Sequence, residues 1–577
     1  MLELLAKRAQ SSEPGFSDKY VRWAIVFDSK AGFGGVVELG QPEQNGNRGR
    51  RFEKCPEMDR GLLQAGGKSH FLVESANVVA LYKVEDADEK ITQKHKFFID
   101  MLEEAGRGIP QLTTIARFMK DEDVLQRIRG EMECKKVKPS DKVTFRLDGE
   151  FSAEQDYWHG WWRNFHRKLI SAGRKPGELG KFRCFVTGEL VTPTRTHPKI
   201  MGLAAVDGRV SGDVLVGYDK EAFCSYGLKQ SFNCAVSVEA AKAYVDGLNE
   251  LIRSYGQRLA GAMVVHWFKE KLKDEDDPLP WLTGPSEIEE LDAQERAKKL
   301  LHSLESGERP DLAGNRYYIL TMSGAAGRVM VRDWLEGDFA ELVRNINGWF
   351  DDMQMVWYDG IKIARPPGFI SVLQALTRDL NSLPPQLVSK LWRVAIRGEG
   401  IPYQIHTQSV TRRRFEIVQD ERLDIAGMGL IRAYHLRKYR KEGNKLAEAL
   451  RPELNKDFPN VAYQAGRLMA ALADLQRRAL GDVGAGVVQR YYVAASTTPA
   501  LVLGRLTGNS QHHLNKLDAG LACWYEGKIS EIWSNIREPL PRTLTLEEQS
   551  LFALGYYHQL ASFRAGKSEN SKETKEK

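Results

Sequence analysis

The chain has 577 residues, 42% hydrophobic and 28% charged, a globular composition that excludes collagen, mucin-like stalks and bulk disorder. Lys and Arg number 83 against 77 Asp and Glu, so the formal net charge is only +6; wrapping of nucleic acid over the whole surface is excluded, and any such contact must be a local patch. Six cysteines with no C-x-x-C pair exclude a disulfide framework and zinc-ribbon spacing, and point to a reducing compartment.

At about 100–200 residues per domain, two to four domains are expected. No stretch approaches the roughly 20 apolar residues that span a bilayer. The opening MLELLAKRAQSSEPGF mixes charged with apolar residues and lacks the long apolar core of a secretory signal, so a cytoplasmic location and no membrane partner are expected.

The fold class expected is α+β: a mixed α/β N-terminal and middle region followed by a C-terminal α-helical bundle. After a short helix (Leu2, Leu4, Leu5) and a Pro/Gly loop at Ser11–Ser17, Val21–Asp28 reads as a strand, with GVVEL returning as the second arm of a hairpin. A Gly/Asn/Arg loop follows at Gln41–Arg51, then β-type runs at Phe71–Val73 and Val78–Tyr82. Helical patterns occupy Lys90–Glu104 and Gln111–Phe118, closing a first segment at 1–120.

The middle segment, 121–385, carries strand candidates at Thr144–Glu150 and Phe182–Leu190 and a helix at Ala240–Leu259. Between residues 270 and 310 there are 12 acidic residues against 6 basic, which reads as an exposed excursion or linker. Tyr317–Met322 is a strong strand, and SGAAGR at Ser323–Arg328 is expected to lead directly into a helix.

The last segment, 386–577, reads as nearly all helical. Its first sixty residues, 386–445, hold 13 Lys/Arg against 6 Asp/Glu. Val461–Leu480 is an amphipathic helix with Val461, Ala465, Leu468, Leu472, Leu475 and Ala479 on one stripe and Arg467, Asp474 and Arg478 opposite. Ala500–Leu506, Gln511–Glu526 and Leu546–Phe563 complete a candidate bundle at about 450–565. The tail AGKSENSKETKEK lacks apolar anchors and reads as disordered.

Catalytic patterns are near misses. In GLLQAGGKS, Gly61 lies one residue too early for a phosphate-binding loop and no buried strand precedes it. His159 and His166 lack a suitably spaced third ligand, and adjacent His512 and His513 diverge by about 100° on a helix. H-E-x-x-H and G-x-S-x-G are absent. No catalytic residue, metal site or cofactor is assigned.

Polyelectrolyte binding remains. The window from Arg412–Arg414 to Lys441, with Phe415, Tyr434 and Tyr439 interleaved, reads either as a phosphate-binding and base-stacking surface or as a solvated helix face. At SGAAGR, a helix N-terminus would favour phosphate with Arg328 and Arg332 sharing one face; close packing with Ser323 as a cap is the alternative.

The order of motifs resembles the large subunit of the type I-C CRISPR Cascade surveillance complex, the Csd family. The resemblance rests on GFSDKYVRWAIVFD, KSHFLVESANVVALY, CFVTGE with THPKIMGL, AFCSYGLKQSFNCAVSVEAAKAYVDGLNELI and YYILTMSGAAGRVMVRDWLEG. It continues through GRLMAALADLQRRALGD, QRYYVAASTTPALVLGRL, QHHLNKL and LTLEEQSLFALGYYHQ, in order from about residue 15 to 560.

The resemblance implies a prokaryotic, non-catalytic ribonucleoprotein subunit of antiviral defence. Its partners would be guide CRISPR RNA, target duplex DNA, the backbone, guide-processing and small subunits of Cascade, and a helicase–nuclease. It would recognise the protospacer-adjacent motif (PAM) and promote strand separation into an R-loop, while base pairing reads the sequence. Segment 1–120 would lie near the guide 5′ end and the PAM.

Lys68 and Asn77 are then the candidates for phosphate and base edge at the PAM, with Arg328 and Arg332 as further DNA or guide contacts. Arg467, Arg478, Arg490 and Arg505 are candidates for the displaced strand or heteroduplex. A separate small subunit started internally, between about Met428 and Met469, is a further expectation. The alternatives are a nuclease or nucleotide-dependent remodelling enzyme, and a purely structural assembly scaffold.

Overall fold

The computed structural model describes residues 1–9, 13, 15–40, 49–58, 62–63, 66–84, 88–172, 180–218, 220–283, 290–419, 423–481, 483 and 485–573. Residues 11, 12 and 14 of the predicted loop Ser11–Ser17, 41–48 of Gln41–Arg51, 61, 64 and 65 of Gly61–Ser69, and the last four tail residues lie outside the described residues. Contacts group the chain into two compact units, Met1–Ile200 with Val214–Glu250 and Met201–Asp213 with Leu251–Lys577.

The first unit is built on a mixed sheet. Alternating apolar residues make strands β1 (Phe16–Val21), β2 (Trp23–Asp28), β3 (Gly32–Glu38) and β4 (Arg50–Pro56). The short β5 (Glu74–Ser75), β6 (Lys142–Leu147) and β7 (Glu150–Phe151) follow. The sheet runs β3-β2-β6-β5, with β7 on β6; β2 and β6 are parallel, while β1 and β4 form a separate antiparallel ribbon.

The predicted hairpin is β2–β3, closed where Asp28 Oδ1 accepts from the amides of Lys30 and Ala31. Trp23, Ile25, Phe27 and Phe145 bury one sheet face, where they join Phe98 and Leu102 of the helix Glu89–Gly106 and Leu112 and Ile115 of the helix Pro110–Lys120. Trp158 and Trp162 enter the same core.

Three β assignments in this unit are corrected, the first being Phe71–Val73, which is a buried bend just before β5. Val78–Tyr82 is not a strand: Ala76–Ala80 is a short buried helix, because burial of Val78 and Val79 overrides their β preference. Phe182–Leu190 is mostly a turn between two-residue strands β8 (Phe182–Arg183) and β9 (Leu190–Val191). Cys184 Sγ accepts from the amides of Val186 and Thr187, at 3.4 and 3.5 Å, which curls CFVTGE back on itself.

The second unit contains an antiparallel sheet in the order β10 (Gln257–Leu259), β11 (Ala262–Phe268), β12 (Arg316–Ala325), β13 (Arg328–Asp338). A continuous core joins this sheet to the helices Phe339–Met353, Pro385–Arg397, Tyr403–Val418 and Ile425–Lys441, crossing residue 385 without a break.

The acidic stretch is not simply an excursion. The helix Glu290–Glu305 buries Ala293, Ala297 and Leu300 in that core, and Asp276 is held by two hydrogen bonds from Arg309, at 3.0 and 2.8 Å. Of the acidic side chains described on this helix, Glu295 and Glu305 are exposed. Residues 284–289 lie outside the described residues.

The C-terminal core centres on the helix Val461–Leu480, whose ends match the sequence reading. Its sidedness does not: every residue from Ala462 to Leu475 is buried, so the helix is enclosed on all faces rather than striped. Gly466 and Gly555 make this possible. A methyl on Gly466 would overlap the carbonyl of Phe552, and one on Gly555 would overlap the carbonyl of Tyr463, so the two helices meet backbone to backbone. The final helix, Leu546–Glu573, continues into the segment read as a disordered tail.

Candidate nucleic-acid interface

Lys68 lies on the connection from β4 to β5, where Gly66 and Gly67 adopt positive φ of 89° and 69°. Glu74 pins the end of this connection by accepting from the amides of His70 and Ser75, both at 2.8 Å. The half-buried Lys68 ammonium has no side-chain partner among the described residues. Asn77 follows on the short helix; its amide donates to Pro139 O at 3.0 Å, while its buried side-chain Oδ1 is unpartnered, as is Ser69 Oγ.

Next to this connection, Lys19 is flanked by Lys142 and by the carboxylates of Glu57 and Glu74. Burial pushes the Lys19 ammonium down to about 8 while it donates to Pro56 O at 2.7 Å. Burial, reinforced by Lys19, Lys142 and Lys94, pushes His70 down to about 2 and holds it neutral. Lys19 escaped the sequence reading because nothing local links it to a loop some fifty residues later. A preformed loop carrying an unpaired cation and two unpaired polar atoms can hold an anionic backbone and read a polar edge.

SGAAGR requires correction. It opens no helix: Ala325 pairs with Arg328 across a two-residue turn in which Ala326 and Gly327 both have positive φ, 52° and 95°. That combination suits a tight hairpin turn, and the next helix starts only at Phe339. Ser323 is a buried strand residue, and the small residues serve close packing, since a methyl on Gly324 would overlap Gly208.

Arg328 is exposed beside the turn. Arg332 is the extra residue of a β-bulge, between the Met322–Val331 and Thr321–Asp333 pairs, and donates to Ser323 Oγ at 2.9 Å. The bulge breaks the alternation of faces, so the spacing of four no longer implies a shared face. The Arg209 guanidinium packs against Gly327, a contact across 118 positions that no local pattern signals.

The basic window of 386–445 also needs revision. Arg413 is 0% exposed and donates to Glu416 at 2.6 Å and Ala375 O at 3.0 Å. Arg437 donates to Asp352 at 2.8 Å and to the carbonyls of Val394 and Glu399. Arg432 is buried against Leu450, Asp351, Asp352 and Gln354 carbonyls. Tyr434 and Tyr439 are buried as well, leaving Phe415 exposed. Much of the local charge excess is therefore internal wiring.

Arg467, expected on a polar face, is 1% exposed and bound by Gln559, Lys456 O, Gln464 and Glu531. Arg478 is exposed but engages Tyr525. Arg490 and Arg505 are exposed on the helices Val487–Thr497 and Pro499–Asn509, without side-chain partners among the described residues.

AFCSYG forms a loop in which every residue from Glu221 to Gly227 is exposed and Tyr226, at positive φ of 53°, projects fully into solvent. Asn233 staples it by donating to Leu228 O and Gln230 O and accepting from the Ser225 amide. All six cysteines are free thiols. Among the described residues, no three His, Cys, Asp or Glu side chains are grouped to hold a metal ion, and no helix is long and apolar enough to cross a membrane.

No curated protein matches the chain. A family model described as CRISPR-associated protein (Cas_Csd1) matches residues 2–564. That span runs through both units, from the first helix past the Gly466–Gly555 contact and into the last helix, as the ordered motifs imply. The chain therefore belongs to the Csd1 family of CRISPR-associated proteins.

Proposed function

We propose that this protein is the non-catalytic large subunit of a type I-C Cascade complex that binds target duplex DNA, recognises the PAM and promotes strand separation into an R-loop. Guide RNA, the backbone, guide-processing and small subunits, and a helicase–nuclease that does the cutting are its proposed partners. The family match across residues 2–564 carries this reading. The half-buried, unpaired Lys68 on a glycine-shaped loop supports phosphate binding, and the unpartnered Asn77 Oδ1 on the following helix supports contact with a base edge. Arg328, Arg490 and Arg505 are proposed as further backbone contacts, and Arg332 and Arg478 keep their present partners. Arg467 is assigned to the packing of the bundle, because a guanidinium saturated inside the fold has nothing left to offer a phosphate.

The test is a mobility shift of the assembled complex, without divalent metal, on targets that differ only in the flanking PAM, with cleavage and ATPase assays run alongside in magnesium and ATP. The expected result is PAM-dependent binding with neither cleavage nor hydrolysis. Lys68→Ala and Arg328→Ala should weaken binding and each lower the salt slope by about one. Unchanged affinity and slope in both would remove those assignments.

An internally started small subunit also has a physical constraint. A fragment beginning at Met428 retains the whole helix Val461–Leu480, whereas one beginning at Met469 would lose Gly466 and half of that enclosed helix. The expected fragment in a purified complex therefore starts upstream of Val461, and intact-mass measurement reads it directly.

A further inference from the structure

A cleft of about 490 Å³ opens in the second unit beside the helix Tyr403–Val418, within the usual size range of small-ligand sites. Arg378, Gln408, Arg412, Phe415 and Glu416 contribute to its walls. Phe415 is 50% exposed in a helix whose other apolar residues are largely core, and the Arg378 guanidinium lies 5.7 Å from its ring centroid. A half-exposed aromatic ring beside a cation is a stacking surface for a base.

The polar atoms of the cleft are unevenly used. Glu416 Oε1 accepts from Arg412 at 3.2 Å and from the fully buried Arg413 at 2.6 Å. Glu416 is only 6% exposed, and its second oxygen, Oε2, is buried without any hydrogen-bond partner. Gln408 spends its Nε2 on Leu376 O at 3.1 Å, which leaves its carbonyl oxygen as a second acceptor. A buried acceptor without a donor is costly, and a ligand that brings N–H groups relieves that cost.

We propose that this cleft seats one unpaired nucleotide of single-stranded DNA, with its base on Phe415, its N–H edge toward Glu416 and Gln408, and its phosphate toward Arg412. Only an unpaired base offers its face and its pairing edge together. Two acceptors favour the base with adjacent N–H donors, which is guanine; thymine presents a single N–H between two carbonyls. This site rests on the proposed DNA-binding function and names the form of DNA it takes.

The experiment uses the full-length chain and fluorescence anisotropy with labelled dT8 and the same strand carrying one central guanine. The guanine strand should bind several-fold more tightly. Phe415→Ala, at a half-exposed position that should leave the melting temperature unchanged, should weaken both strands by about tenfold. Gln408→Leu should reduce the guanine preference while sparing dT8 binding, and it leaves in place the Glu416 carboxylate that holds buried Arg413. Phe415→Trp should retain affinity and gain a fluorescence signal quenched by either strand.

Equal binding by wild type and Phe415→Ala overturns the site. So does a Phe415→Trp signal that responds to assembly with the other subunits but to neither strand, which would make the cleft a protein-docking surface. If either occurs while the complex still binds target duplex in a PAM-dependent way, the proposed function stands and only the cleft falls. Failure of the complex to bind duplex removes the function itself.

Discussion

In the helical region, Arg413, Arg437 and Arg467 are buried, and each is held by a carboxylate and by further hydrogen bonds. In the N-terminal unit, Lys68 rests on a loop shaped by two left-handed glycines and has no side-chain partner among the described residues. The first region is rich in positive charge by composition and uses much of it to hold helices together. The second is unremarkable by composition yet leaves its cation available. Local charge density is thus a poor guide to an electrostatic surface; what matters is whether the fold closes over the cation with acceptors.

Acidification should destabilise both regions, since burial already holds His70 of the N-terminal unit down at about 2. In the helical region, burial pushes His435 and His558 down to about 3 and His406 to about 4. Ser550 donates to Glu547 O, leaving its oxygen to accept from the Nε2 atoms of His406 and His435 at 2.9 and 2.7 Å. Because the folded pKa values lie below that of an unfolded histidine, the unfolded chain binds more protons. Stability is then fully present above about pH 6.5 and falls as the pH drops toward 4, by up to about 1.4 kcal/mol per pH unit for each histidine. Urea midpoints at pH 7 and pH 5 measure this, and His435→Gln should flatten the slope.

Arg437→Ala would leave Asp352 with only the exposed Arg440 and orphan two backbone carbonyls, at an expected cost of about 3–5 kcal/mol in denaturant unfolding. Gly466→Ala should cost about 1–3 kcal/mol, because the helix pair must part to admit a methyl against Phe552 O. A midpoint unchanged in either variant would mean that the enclosed region is looser than its contacts imply.

Arg490→Ala and Arg505→Ala mark the opposite extreme. Both side chains are exposed and unpaired among the described residues, so stability should change by less than about 0.5 kcal/mol. Each should still reduce the salt slope of DNA binding if it meets a phosphate. A large loss of stability would place them with the structural arginines and sharpen the comparison from the other side.

The strongest periodic elements were legible. The β2–β3 hairpin, the strand around Tyr317–Met322 and the helix Val461–Leu480 all follow from apolar spacing over six or more residues. The failures cluster where a short segment is decided by distant neighbours. Val78 and Val79 favour a strand locally but are captured by the core as a helix, and Ala326–Gly327 looks like a flexible helix lead until β12 and β13 pair across it.

Of the candidate site, only residue identities were legible. Lys68, Asn77, Arg328, Arg490 and Arg505 could be chosen by residue type and order of motifs, whereas the buried state of Arg467 and the cleft around Phe415 and Glu416 could not. A helical wheel predicts one buried stripe, and nothing in it reveals that a second helix will close over the opposite face through Gly555.

By itself, the sequence determined the membership of this chain in its family, the α+β class and the most regularly periodic elements, such as the β2–β3 hairpin and the helix Val461–Leu480, because motif order and hydrophobic periodicity are properties of the chain. Tertiary structure alone decided which arginines are interior and, among the described residues, where a loop leaves Lys68 unpaired and which carboxylate oxygen remains without a donor. Those outcomes depend on atoms brought together from positions far apart, through burial and hydrogen bonding that no local window of residues contains.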